Sequence, residues 1–224
     1  MCKRMTANAL RLKEYIDTID NFDFIEPEVC PYRDHIGALF TDAILQAGVN
    51  YRSVVRPRVE SVLMRFPEAD TVTAFSKVLD RYGVREVLHW NNTAKIHRME
   101  DLVSFCSFHS IETAEDLTYF LNSELGEEQL KEINGIGNKT CDYMKRLLGF
   151  DTVAVDRHIR EFLEDADIMF DDYFEIKEVV EFAADIMAKT RRSLDYSIWS
   201  YMSHKRNNIG ELFLDFESLV STKN

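Results

Sequence analysis

Proline stops early in this sequence: Pro27, Pro31, Pro57 and Pro67 are followed by 157 residues without another. Glycine is scarce too, with eight in 224 residues. So few turn-formers leave little room for the many short strands of a sandwich or barrel, and they favour helices. Cys2, Cys30, Cys106 and Cys141 contain no C-x-x-C pair. Their scatter excludes a zinc ribbon or a compact iron–sulfur ligand set, and a disulfide scaffold is not expected at this length. A reduced, cytoplasmic setting is the default expectation. No run approaches the roughly 18 apolar residues of a membrane span, so no membrane partner is expected. The basic start also lacks the apolar core of a secretion signal. Bases are outnumbered by acids, 27 to 39, for a net charge of −12. That balance argues on its face against a polyanionic partner.

What is present is ordinary globular material, 46% hydrophobic and 29% charged, in a length suited to one large domain or two small ones. Apolar residues recur at three-four spacing almost throughout. Ala9, Leu12, Tyr15, Ile16 and Ile19 keep it, as do Ile36, Leu39, Phe40, Ala43 and Ile44. Further helices are expected at Val54–Phe66, Val72–Tyr82, Met99–Phe108 and Ala114–Leu121, the last capped by Thr113. Others follow at Arg157–Asp165, about Tyr173–Lys189, Leu194–His204 and Glu211–Leu219. The expected fold class is all-α, with about ten helices.

The negative charge is concentrated. Residues 161–185 carry −9 and residues 112–132 carry −6, so the remaining 178 residues carry +3. Net charge therefore does not decide the partner, and the acidic segments are expected to face away from any anionic ligand.

One string stands out, Leu130-Lys-Glu-Ile-Asn-Gly-Ile-Gly-Asn-Lys-Thr140. Ile133 ends one helix, Gly135 and Gly137 permit a sharp reversal, and a second helix opens near Asn138. The N-terminus of that helix presents unpaired N–H groups and the positive end of the dipole. Donors from Gly135, Gly137 and Lys139 could converge on one phosphate with little help from basic side chains. The plainer alternative is a helix–helix turn with a glycine cap. Lys139 meets an unfavourable dipole, a contact of about 0.3–1 kcal/mol. That field favours the neutral amine, the form a nucleophile needs. Downstream, Asp156 in Val153-Ala-Val-Asp-Arg-His-Ile159 follows an apolar run and precedes a helix, a position suited to an N-cap.

Together the two strings resemble the helix-hairpin-helix (HhH-GPD) DNA glycosylase superfamily, the endonuclease III-like base-excision enzymes. Their pattern is approximately L-P-G-[VI]-G-x-K-[TV]-A, a helix, and [VP]-V-D-[TV]-H-[VI]. The likeness extends over roughly residues 30–205. Ala43-Ile-Leu-Gln46 and Pro57 to Pro67 match the first barrel helices, and Leu194 to Tyr201 a later one. Asn134 replaces the usual proline, Arg157 replaces a small residue, and the stretch from Gln46 to Pro57 is about two residues longer than the pattern leads one to expect. The four-cysteine cluster of many relatives is absent, so no iron–sulfur cofactor is expected.

The resemblance implies two helical subdomains, residues 30–135 and residues 1–29 with 136–224, with an active-site cleft between them. It implies a monomer acting on double-stranded DNA that carries a damaged base or abasic site, in the cytoplasm, nucleoid-associated in a prokaryote. Lys139 and Asp156 take the catalytic positions. Gly135, Ile136, Gly137, Lys139 and Thr140 would contact DNA phosphate, and the carbonyls of Ile133 and Ile136 would hold a monovalent cation. Gln46 falls where a DNA wedge occurs, or is simply a polar residue ending a helix. Tyr143 either stacks on the flipped base or packs in the core. The competing classes are a glycosylase without lyase activity, a non-catalytic DNA-binding module, and an acidic interaction protein.

Overall fold

A computed structural model describes residues 3–205. Cys2 and the helix expected at Glu211–Leu219 lie outside these residues. Among the described residues every regular element is helical. The chain forms two compact units, one continuous (28–150) and one split (1–27 with 151–224). The first boundary falls within two residues of expectation. The second falls at 150/151 and not inside the turn at 135/136. The reason is packing: Leu130, Ile133, Ile136, Cys141, Met144 and Leu148, from both hairpin helices and the turns beside them, belong to one core.

In chain order the helices are α1 (Lys3–Asp17), α2 (Ile36–Leu45), α3 (Arg56–Arg65), α4 (Val72–Tyr82), α5 (Val84–Leu88) and α6 (Thr93–Phe108). Then come α7 (Ala114–Leu121), α8 (Glu124–Leu130), α9 (Asn138–Leu147), α10 (Arg157–Asp165) and α11 (Tyr173–Ile186). A last helix, α12, covers 191–205 of the described residues.

In the continuous unit, α2 is the central element. All ten of its residues are buried, and α3, α4, α6 and α9 pack on it. A helix apolar on nearly every side must be enclosed, and each buried Leu, Ile or Phe contributes roughly 1.5–3 kcal/mol. His35 caps its start, with Nδ1 accepting from the Ala38 N–H at 3.0 Å. The overlong stretch after Gln46 contains a π turn, Tyr51–Val55, where an extra residue can be absorbed. The α7 cap expected at Thr113 is present, and Asp116 completes it as a reciprocal box. The sixth helix begins at Thr93, well before Met99, because Asn92 caps it there.

In the split unit, Met5, Ala9, Leu12 and Ile16 form the buried stripe of α1, which packs on α11. Phe162 is fully buried, with Tyr15, Phe22 and Tyr201 rings 5.3, 5.6 and 5.8 Å from it. Residues 152–155 run without regular structure but are pinned by side chains. The Val153 N–H donates to Glu181 Oε1 (3.2 Å), Ala154 to Asp195 Oδ2 (2.7 Å) and Val155 to the Tyr173 hydroxyl (3.3 Å). That segment delivers Asp156 to the start of α10.

Candidate functional site

Between α8 and α9 the chain turns within 131–137, and the Ile136 N–H closes on the Ile133 carbonyl at 2.9 Å. Only one of the two glycines does the turning. Gly135 has φ +86, whereas Gly137 has φ −104 and ψ −172, extended backbone open to any residue. A Cβ on Gly135 would stand 1.6 Å from Arg98 Nη2, since the guanidinium lies across it and Nε donates to the Asn134 carbonyl (3.0 Å). A Cβ on Gly137 would meet nothing within 4 Å. No side chain caps α9, so its first turn begins in open space with its N–H groups directed at whatever approaches. Thr140 is buried, which leaves its backbone as the part suited to an anion, while Ile136 is buried with its N–H already bonded to the Ile133 carbonyl. The Ile133 carbonyl, expected at a cation, takes the Ile136 N–H, and Arg98 already brings a fixed positive charge to this turn.

Lys139, second in α9, donates from Nζ to Gln46 Oε1 at 2.5 Å. Gln46 is 9% exposed, and its Nε2 is buried with no hydrogen-bond partner among the described residues. Such an orphan donor costs about 1–3 kcal/mol, so it marks a place where an acceptor is missing. Here Gln46 is a buried partner of Lys139, not a projecting side chain.

One turn after Lys139 in α9 and one turn before Gln46 in α2, a second pair repeats the first. The Tyr143 hydroxyl donates to Asp42 Oδ1 at 3.0 Å. Asp42 is fully buried, and Oδ2 also receives the hydroxyls of Tyr51 (3.1 Å) and Tyr32. Burial pushes the Asp42 carboxyl up, while the three hydroxyls and the Arg146 charge pull it down. Tyr143 therefore belongs to a core network that ties α9 to α2.

The end of α2 is sealed by Lys95 from α6, whose Nζ donates to the carbonyls of Leu45 (2.6 Å) and Ala47 (2.7 Å), either side of Gln46. Its ammonium also lies 4.9 Å from the Trp90 ring centre. Burial, then the charges of Arg98 and Lys139, push the Lys95 amine down to about 8. Arg58 likewise bonds only carbonyls, Val54 at 2.6 Å and His89 at 3.2 Å. Among the described residues no carboxylate lies within ion-pair distance of Arg58, Lys95 or Arg98. Arg65 and Lys145, by contrast, pair with Glu86 and Glu127. The continuous unit thus holds uncompensated positive charge despite the overall excess of acid.

The acids of 112–132 have local work. Glu112 takes the Thr73 N–H (3.0 Å) and hydroxyl (2.7 Å), Asp116 completes the α7 cap, and Glu127 pairs with Lys145. Residues 161–185 belong to the split unit.

Asp156 lies in the split unit as the N-cap of α10. One carboxylate oxygen takes the N–H groups of His158 (2.8 Å) and Ile159 (3.1 Å), and the other meets His158 Nδ1 at 2.9 Å. The histidine is a positioning partner for the carboxylate. Its fixed geometry suits a charge that must stay in place.

The sequence model of a family described as a domain of unknown function, DUF8548, matches residues 15–203. The chain belongs to that family. No curated protein and no solved structure matches it. Three side chains that shape the site in this DUF8548 member, Asp42, Lys95 and Arg98, escaped the sequence reading. One signal was available: Asp42 precedes Gln46 by four residues and Tyr143 follows Lys139 by four, the spacing of two helices joined at two rungs.

Proposed function

We propose that the protein is a base-excision DNA glycosylase with an associated lyase activity, using Lys139 as nucleophile and Asp156 as electrostatic partner. The observation that carries the reading is the Lys139–Gln46 pair. A lysine at the uncapped start of a helix donates there to a buried amide whose own nitrogen is unpartnered. Nearby, Arg58, Lys95 and Arg98 supply positive charge for a DNA backbone, and the open backbone at Gly137 suits a phosphate.

On this reading the damaged nucleotide is rotated out of the duplex. Positive charge grows at the sugar C1′ as the bond to the base lengthens, and the Asp156 carboxylate stabilises it. The lone pair of neutral Lys139 forms a bond to C1′ while the base departs with the bonding pair and takes up a proton. Ring opening gives a Schiff base. Loss of a C2′ proton then expels the 3′ phosphate, and water releases the lysine.

The test is to incubate the protein with a duplex carrying one abasic site in the presence of sodium borohydride. A covalent protein–DNA adduct that vanishes in Lys139→Gln is expected. Intact DNA binding with neither adduct nor nicking would replace this reading with a non-catalytic DNA-binding module. A panel of single-lesion duplexes would then identify the excised base.

A further inference from the structure

Asp195 stands among apolar neighbours. It lies in α12 on the buried side with Leu194, Ile198 and Met202, and is itself 3% exposed. A carboxylate among aliphatic side chains is costly unless donors reach it, and a helix interior is a poor place for aspartate. One of its donors is the Ala154 N–H, at 2.7 Å, two residues before Asp156. We propose that Asp195 is a positioning residue for Asp156: it fixes the backbone of the segment from which Asp156 enters α10.

That segment needs an external hold. Thr152, Val153, Ala154 and Val155 are all buried, and none belongs to a helix. A buried backbone without regular structure has to find its partners elsewhere. Here three consecutive N–H groups go to three side chains, Glu181 and Tyr173 of α11 and Asp195 of α12. Glu181 also takes the Thr152 hydroxyl (3.1 Å) and, through its other oxygen, Arg191 Nη1 (3.0 Å), which joins α11 to the start of α12. Of the three backbone contacts, the one to Asp195 is the shortest.

Between Ala154 and Asp156 only Val155 intervenes, β-branched and buried, with its own N–H held by Tyr173. On the other side, Asp156 is bound to α10 through the N–H groups of His158 and Ile159 and through its carbonyl, which takes the Arg160 N–H at 3.2 Å. The cap fixes the carboxylate relative to α10. The segment anchored at Asp195 fixes the start of α10 relative to α11 and α12. A carboxylate that stabilises charge growing at one atom has to be in place beforehand, and a displacement of about 1 Å can cost roughly a hundredfold in rate.

The inference rests on Asp156 being the charge-stabilising carboxylate of the proposed excision, and the two can fail separately. Asp195→Leu keeps a similar shape and matches its apolar neighbours but removes the acceptor, whereas Asp195→Asn keeps an acceptor oxygen for Ala154. In the full 15N-labelled chain without DNA, hydrogen exchange at the His158 and Ile159 amides is followed relative to Val180, buried in α11. It should be at least about tenfold faster in Asp195→Leu and unchanged in Asp195→Asn. Single-turnover excision from whichever duplex of the lesion panel wild type processes should fall at least about tenfold in Asp195→Leu and return in Asp195→Asn. Affinity for an abasic duplex should stay within about twofold throughout. A residue that only stabilised the unit would move exchange at Val180 equally and leave excision by the folded protein unchanged.

Wild-type excision by folded Asp195→Leu overturns the proposal, as does exchange at His158 and Ile159 that follows Val180, or a loss that Asp195→Asn does not repair. Should Asp195→Leu not fold, Asp195→Glu, which keeps the carboxylate but sets it one methylene further out, is read against the same expectations. If the exchange result holds but wild type processes no duplex, Asp195 still positions Asp156 and the excision reading falls.

Discussion

Gly135 and Gly137 occupy one turn but should respond to alanine in opposite ways. At Gly135 the backbone has φ +86, and holding a non-glycine residue there costs about 1–2 kcal/mol. The new Cβ would also fall 1.6 Å from Arg98 Nη2. A guanidinium at the end of a flexible stem can swing aside, so this second cost is the bond to the Asn134 carbonyl, about 0.5–1 kcal/mol at a half-exposed site. Gly135→Ala should therefore destabilise the protein by about 2 kcal/mol. In an Arg98→Ala background only the backbone part should remain, giving a coupling of about 0.5–1 kcal/mol. Gly137→Ala meets ordinary φ and open space, so its stability should stay within about 0.5 kcal/mol of wild type. Its cost should fall on the ligand: the added methyl stands where a phosphate would approach, and affinity for an abasic duplex should drop about tenfold, equivalent to about 1.4 kcal/mol. Urea midpoints with unchanged slope would measure the first effect, and fluorescence anisotropy with labelled duplex the second. A neutral Gly135→Ala, or a Gly137→Ala protein that loses stability while binding DNA normally, would refute the reasoning.

Asp156→Ala should cost about 1–2 kcal/mol through loss of the α10 cap, while Asp156→Asn should keep most of that stability and still lose base excision. Equal excision by the asparagine variant would remove Asp156 from the mechanism. Tyr143→Phe should cost about 1–3 kcal/mol in urea, since it withdraws a hydrogen bond from a fully buried carboxylate; a change under about 0.5 kcal/mol would mean the Asp42 network does not hold α9. The Lys95 amine, lowered to about 8 in the folded chain, is harder to charge there than in the unfolded chain. The unfolded chain therefore holds more protons above about pH 8, and wild type should gain stability relative to Lys95→Gln between about pH 8 and 10. Parallel melting curves across that range would refute the burial of Lys95.

Much of the fold could be read from local chemistry. The boundaries of α4, α7 and α10 follow from Thr71, Thr113 and Asp156 acting as caps, and caps are set by neighbours in sequence. Asp156 could be placed at a helix start for the same reason, and Lys139 by the glycine turn that precedes it. Long-range partners could not. Tyr32, Tyr51 and Tyr143 lie in a loop, a π turn and a helix, and nothing in their spacing shows that they meet at Asp42. A lone aspartate in an apolar helix looks like a defect until its three donors are counted. Lys95 is even less visible, because in sequence it is one more lysine near a helix start, and only the folded end of α2 gives it acceptors. Gly137 shows the opposite difficulty: two glycines one residue apart look alike in sequence, and only the backbone angles separate the one that turns from the one that leaves room.

The split of one unit around the other has a consequence for synthesis. The first helix leaves the ribosome with Met5, Ala9, Leu12 and Ile16 ready for burial, but its partner α11 begins only at Tyr173. At about 5–20 residues per second, that apolar stripe waits roughly 8–30 seconds while the whole of 28–150 emerges and can close its own core. The nascent chain is thus a finished continuous unit attached to an unfinished split one. Its early life should be marked by chaperone contacts at α1 that end when α11 arrives.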